Sequence, residues 1–173
     1  MSGMGKAAET PSPGLDPLTA GTGGGGPNRA AEAGPRQFLT FCLAGERYGI
    51  IIDSIVEILK YRQSTPIPRA PEVVHGIVSL RGHIVTVIDG RLRLGHSKAQ
   101  VGPASRIIVV RDGAETVGIL VDEVLQVMKL PADAIGPPPE TVAQAGECGI
   151  LGVCDTRQES ILILLDVHEF LKV

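Results

Sequence analysis

YGIIIDSIVEI at residues 48–58 returns as VGILVDEVLQV at residues 117–127, with a glycine, an apolar triplet, an aspartate and an apolar tail in the same order. A second pair of segments extends the match, because Gly76 precedes an apolar run ending in Asp89 just as Gly149 precedes one ending in Asp166. Two copies are too few for a solenoid, which needs about three repeats to bury its faces. The repeat therefore predicts two similar half-domains packed against each other.

Short apolar runs separated by turn residues fill the chain beyond Arg36. Aromatic residues make up only 3% of the chain, so the core must consist of Ile, Val and Leu, which favour strands. The spacing is typical of a small β-barrel or sandwich. The predicted strands are 38–43, 46–52, 55–60, 75–79, 83–88, 106–111, 115–121, 124–129, 148–153 and 160–165.

The N-terminal segment, residues 1–35, is rich in Gly, Pro and Ala and contains a run of four glycines at 23–26. Such a composition cannot offset the entropy of ordering, so we expect a disordered tail. The repeat divides the remainder, 36–173, into halves of roughly 36–100 and 101–173. It leaves open an exchange of end strands between the two halves.

Charge and cysteine content narrow the classes of function. A net charge of −3 and an isoelectric point near 5.8 argue against nucleic acid as a partner. No apolar run approaches the roughly 20 residues of a spanning helix, so we expect no membrane insertion. The three cysteines lie in apolar runs, which favours buried thiols in a soluble, cytoplasmic protein.

Catalytic and metal-binding patterns are missing from the sequence. His75 and His83 lack the spacing of metal ligands, and Cys148 and Cys154 have no matching histidine pair. The glycine clusters include no phosphate-binding loop. We predict no enzyme activity, no metal and no cofactor. The alternative is a small-molecule or hydrolytic β-barrel enzyme using His75, His83 or Cys154, which bound zinc or a reactive thiol would reveal.

Four aspartates recur at equivalent positions of the repeat, which favours an architectural role. Asp53 and Asp122 are expected to cap single helical turns, and Asp166 a short helix through Leu171. Glu57 differs, because its counterpart is Gln126. It lies either on a solvated strand face or at a surface presented to a partner.

The turn Ser79-Leu80-Arg81-Gly82 is shorter than its counterpart at 154–159. An arginine before a glycine in a tight turn is a rigidly held cation, suited to a carboxylate or to backbone carbonyls of another protein. By position alone, an ordinary solvated arginine is the simpler interpretation.

Three of these segments together carry a resemblance to a known family. The Tyr48-Gly49-Ile50 strand, the stretch from Gly76 through Leu80-Arg81-Gly82 to Asp89, and the segment 117–122 are similar to the CheW family of chemotaxis coupling proteins. The similarity runs from about Gln37 to the C-terminus. Its implied fold is mainly β, with two five-stranded SH3-like barrels around a shared hydrophobic seam and short helical turns.

The resemblance also implies a function and its partners. Members of the family are adaptors without catalytic activity that join the cytoplasmic tip of a chemoreceptor to the regulatory domain of a CheA-type histidine kinase. The implied protein is cytoplasmic, monomeric alone and recruited to receptor arrays, with the kinase on exposed barrel edges. A scaffold of the same fold in a motility, development or second-messenger pathway is the alternative.

The implied receptor-binding residues are Arg81, Ile55, Glu57, Ile107 and Ile108, with Ser79, Leu80 and Gly82 supporting the turn. An apolar groove would accept a hydrophobic ridge of a receptor helix, while Arg81 at its rim fixes the register. Alternation along a strand lets only one of Ile107 and Ile108 face such a groove unless the strand twists or lies at an edge.

Two departures from the family pattern are visible. Ser79 stands where the family usually has Asn, and Gly90 where it usually has Leu. A serine can still bond the turn backbone. Gly90 is expected to remove an apolar contact and loosen the chain before Arg91.

Overall fold

Ten strands form in the residues that the structure, a computed structural model, describes: 34–140, 149–156 and 160–172. Each predicted strand has a counterpart whose ends lie within two residues of those predicted, except the ninth, which ends three residues further on. The predicted tail, apart from its last two residues, and Cys148 lie outside the described residues. The strands are β1 (Arg36–Leu43), β2 (Glu46–Ile51), β3 (Ile55–Lys60), β4 (Val74–Leu80), β5 (His83–Asp89), β6 (Arg106–Asp112), β7 (Glu115–Val121), β8 (Glu123–Leu130), β9 (Ile150–Thr156) and β10 (Ser160–Leu165).

Short helical segments connect or follow the strands. Turns of 3₁₀ helix follow β2 and β8, and single α-helical turns follow β5 and β10. Their bounds are Ile52–Ser54 and Ala132–Ala134 for the 3₁₀ turns, α1 (Gly90–Arg93) and α2 (Val167–Leu171).

The strands form two five-stranded sheets, which confirms the predicted fold class. One, here the central barrel, has the order β3-β6-β7-β5-β4, and the other, the terminal barrel, has the order β8-β1-β2-β10-β9. Each contains one parallel pair at an equivalent place in the repeat, β5 with β7 and β10 with β2. Each predicted half, 36–100 and 101–173, contributes strands to both barrels, because the chain changes sheet after β2 and again after β7.

The core lies between and inside the barrels. The largest cluster, here the seam, joins residues of both barrels and α2, including Phe41, Ile108 and Phe170. Smaller clusters fill the inside of each barrel. The seam buries aliphatic and aromatic side chains from both sheets, so the barrels form one unit.

Two of the four repeated aspartates cap helices. Asp89 and Asp166 accept backbone N–H groups at the start of α1 and α2, which confirms the helix expected after Asp166. The capping predictions for the other two were wrong. Asp53 lies inside its 3₁₀ turn rather than ahead of it. Asp122 precedes a strand, and its Oδ2 instead accepts from the Ala44 amide at 2.8 Å and pairs with Arg91 Nη2 at 2.7 Å.

Gly90 lies at a point of close approach rather than at a loosened one. A Cβ atom there would be 2.8 Å from the Leu120 carbonyl oxygen and 3.1 Å from the methyl groups of Leu43. The absence of a side chain lets α1 contact β7 directly. The expectation that Gly90 loosens this segment was therefore wrong.

Candidate functional site

The two-residue turn between β4 and β5 holds Arg81 in a strained conformation. Leu80 pairs with His83, and the φ angles of Arg81 and Gly82 are +50° and +85°, as in a type I′ hairpin turn. A left-handed conformation costs an arginine roughly 1 kcal/mol, whereas glycine adopts it freely. Residues kept in strained conformations concentrate at binding surfaces, so this turn is a candidate site.

Two side chains from β3 and the residues just after it contact the turn. Glu57 Oε1 accepts from Arg81 Nη2 at 3.2 Å. The guanidinium of Arg62 donates to the Ser79 carbonyl oxygen at 3.1 Å. The Arg81 side chain nevertheless remains 78% exposed, against 29% for Glu57. A single contact at that exposure contributes little to stability, so most of the Arg81 guanidinium is available to a partner.

An apolar surface lies beside this cation. A groove of about 480 Å³ is lined by residues of β3, β4, β5 and β7 together with the turn. Ile84 is 74% exposed and Val56 is 44% exposed, although both are large apolar residues. The lining residues are Val56, Glu57, Leu80, Arg81, His83, Ile84, Val85 and Thr116. An apolar floor with a charged rim is the composition of a protein-binding surface.

Three of the five implied receptor-binding residues lie elsewhere. Ile107 and Ile108 are fully buried, the first inside the central barrel and the second in the seam, because successive side chains of β6 point to opposite sides. Ile55 is half-buried against the seam. Ile107 and Ile108 are therefore not among the residues that line the groove beside Arg81, and Glu57 and Arg81 are the two that the structure brings together.

The sequence did not indicate that Val56, His83 and Ile84 line this groove or that Arg62 contacts the strand end before its turn. A signal for two of them was available in the repeat. Val56 corresponds to Leu125 and Ile84 to Ile161, and all four are exposed. Large apolar residues kept at equivalent exposed positions of both barrels indicate contact surfaces rather than core.

Of the three residues of the enzyme alternative, Cys154 is buried and His75 is half-buried, whereas His83 lines the groove. Cys154 is 3% exposed, and burial, followed by the charge of Asp155, raises the pKa of its thiol. A raised pKa lowers the fraction of nucleophilic thiolate. Among the residues described, no group of three or more His, Cys, Asp or Glu side chains is arranged to bind a metal ion. None of the helices there is long and apolar enough to span a membrane.

His75 lies at an irregularity of β4, where the pairing with β5 shifts between Val74 and Gly76. Its Nε2 is 3.3 Å from the Tyr61 hydroxyl, and its Nδ1 is buried without a hydrogen-bond partner in the described residues. Burial lowers the pKa of this imidazole, which the charge of Asp89 only partly opposes. Burial therefore favours the neutral form of the His75 imidazole.

The lowered pKa of His75 predicts a loss of stability in acid. Because the unfolded chain binds a proton near pH 6.5 that folded His75 resists, the free energy of unfolding should fall as the pH drops below about 6.5. The change His75→Gln, which leaves an amide near Tyr61 but no titrating group, should flatten that dependence. Urea unfolding midpoints of both proteins between about pH 8 and about pH 5 test this. Equal slopes in the two proteins would contradict it.

Two joined β-barrels that present an apolar groove with a cationic rim define a protein-binding scaffold. The CheW-like domain family matches residues 37–173. The chemotaxis protein CheW of Klebsiella aerogenes is 37% identical over 142 residues, covering 82% of this chain and 85% of that protein. Protein FrzA of Myxococcus xanthus is 34% identical over 138 residues, covering 78% and 86%.

A solved structure agrees with these matches. The scaffolding protein TtCheW of Thermoanaerobacter tengcongensis superimposes with a TM-score of 0.73 at 34% identity, covering 80% of this chain and 94% of that one. The chain belongs to the CheW-like family, as the resemblance in its sequence indicated.

Proposed function

We propose that the protein is a non-catalytic adaptor that couples the cytoplasmic tip of a chemoreceptor to the regulatory domain of a CheA-type histidine kinase. We further propose that the groove beside Arg81 binds the receptor. Membership of the CheW-like family supports the adaptor role. The observation that carries the receptor site is Arg81, which is strained, exposed and aimed from a tight turn at the rim of an apolar groove.

The kinase is assigned to the edge strand β8 of the terminal barrel. Leu125 and Val127 of this strand are exposed apolar residues, and neither lines the groove beside Arg81. Exposed apolar edges favour pairing with another barrel of similar construction. An adaptor that binds two partners on one rigid unit transmits a receptor change as a change in the geometry of the kinase.

The proposal is tested by calorimetric titration of the full chain against a receptor tip fragment and a kinase regulatory domain from the same genome. We expect dissociation constants in the micromolar range or below, about −8 kcal/mol. The change Arg81→Glu should weaken receptor binding by about tenfold or more because it replaces an attractive charge by a repulsive one. Kinase binding should remain.

A matched charge reversal at Lys129, an exposed residue of β8 on the terminal barrel, controls for net charge. It should leave receptor binding unchanged. If the protein bound neither partner, the coupling role would be overturned. If Arg81→Glu and Lys129→Glu weakened receptor binding equally, the assignment of the receptor to the groove would be overturned.

A further inference from the structure

We propose that Arg62 is a second cationic contact of this groove, and that the two arginines select a partner helix carrying two acidic side chains beside its apolar ridge. This proposal rests on the proposed function of the groove as a docking surface. It adds the chemistry of the partner that the groove binds, and it names Arg62 as a residue that determines specificity.

Arg62 does not line the groove itself, but it contacts the end of β4 that leads into the turn presenting Arg81. It follows the end of β3, and its Nη1 crosses to the carbonyl oxygen of Ser79, two residues before Arg81. That carbonyl is a neutral acceptor, and a guanidinium has five N–H donors. Within the described part of the chain no carboxylate pairs with Arg62, so its charge is not compensated.

Positive side chains outnumber acidic ones around the groove. Among the lining residues, Glu57 and Arg81 balance each other. Outside the lining, Arg62 contacts the Ser79 carbonyl oxygen, Lys60 is exposed on β3, and Glu115 is exposed next to Thr116. The excess of one positive charge among these five residues is opposite in sign to the net charge of −3 of the protein, and it favours an acidic partner.

The existing contacts leave room for partner carboxylates. Glu57 contacts a single nitrogen of Arg81 at 3.2 Å, whereas a carboxylate can accept two parallel bonds from a guanidinium. A bidentate partner would contact the remaining nitrogens of both arginines without displacing Glu57. Val56 and Ile84 supply the apolar contact of the groove, and a helix satisfies both demands with apolar residues at i, i+3, i+4 and i+7 flanked by Glu.

The test uses the full chain and three synthetic helical peptides that share one Leu/Ile ridge. One carries two Glu beside the ridge, the second two Gln and the third two Lys. Backbone amide chemical shifts locate binding, and titration gives the dissociation constant. We expect the Glu peptide to perturb β3 and the β4–β5 turn, and to bind about tenfold more tightly than the Gln peptide.

Variants of Arg62 separate contact from support of the turn. Arg62→Glu should weaken binding of the Glu peptide by about tenfold and should be rescued by the Lys peptide, which a purely structural role would not produce. Arg62→Lys keeps the charge but not the planar guanidinium with its paired donors. Its affinity for the Glu peptide should therefore lie between those of Arg62→Glu and the wild type. Lys129→Glu is the matched control and should change nothing. Unperturbed amides elsewhere establish that the variants are folded.

The outcomes separate this inference from the function on which it rests. If the Glu peptide binds no better than the Gln peptide, or if Arg62→Glu is not rescued by the Lys peptide, the inference is overturned even where the receptor tip binds. If the peptides behave as expected but no receptor tip binds, the acidic-helix specificity stands and the receptor assignment falls.

Discussion

Replacing Phe170 by alanine is expected to lower the free energy of unfolding by about 3–5 kcal/mol. The ring is fully buried in α2, within the seam that joins the two barrels. Its carbonyl oxygen also accepts from Arg93 Nε at 2.7 Å, which ties α2 to α1 on the other barrel. The substitution leaves a cavity at the point where both barrels meet, so neither sheet can close it alone.

Chemical unfolding at equilibrium measures the effect, with Phe170→Leu as the matched control. Leucine keeps most of the apolar contact and should lose less than about half as much stability. A loss below about 1 kcal/mol for the alanine variant would mean that α2 does not pack into the seam as described. Because the seam sets the relative position of the two barrels, the alanine variant should also weaken simultaneous binding of the two proposed partners.

Much of this fold follows from patterns that are local in the sequence. Alternating apolar residues bounded by turn residues predicted the strands, and the repeated aspartates predicted the helix after Asp166. The tight turn at Arg81 was visible because Gly82 follows it and the equivalent segment is longer. Each of these features depends on neighbouring residues alone.

The misplaced features depend on contacts distant along the chain. Residues 107–110 are apolar at every position and buried on both faces, so no alternation indicates which side chain meets which cluster. The repeat identified equivalent strands but not which strands share a sheet. Arg62 is an exposed residue between two strands, and its contact with Ser79 arises only after β4 pairs with β5. Its proposed contribution to the site required the structure.

Replacing Asp89 by alanine is expected to lower the free energy of unfolding by about 3 kcal/mol or more. Its carboxylate is fully buried at the end of β5. One oxygen accepts from the Arg91 amide at 2.9 Å and the Leu92 amide at 3.2 Å, and the other from the Ala99 amide at 2.9 Å. Alanine would leave these three donors without that acceptor, and an unsatisfied buried donor costs about 1–3 kcal/mol.

The repeat supplies the control for this prediction. Asp166 holds the equivalent position before α2, but it is partly exposed and accepts from the Glu169 amide at 3.1 Å. Asp166→Ala should therefore lose about 1 kcal/mol, the usual effect of removing a helix cap. The comparison is made by urea unfolding of both variants in the same buffer, and similar losses would contradict the account. We expect the two aspartates to contribute differently to stability although the sequence presents them as equivalents. The physical reason is that Asp89 accepts from both α1 and the loop at Ala99, whereas Asp166 caps a helix alone.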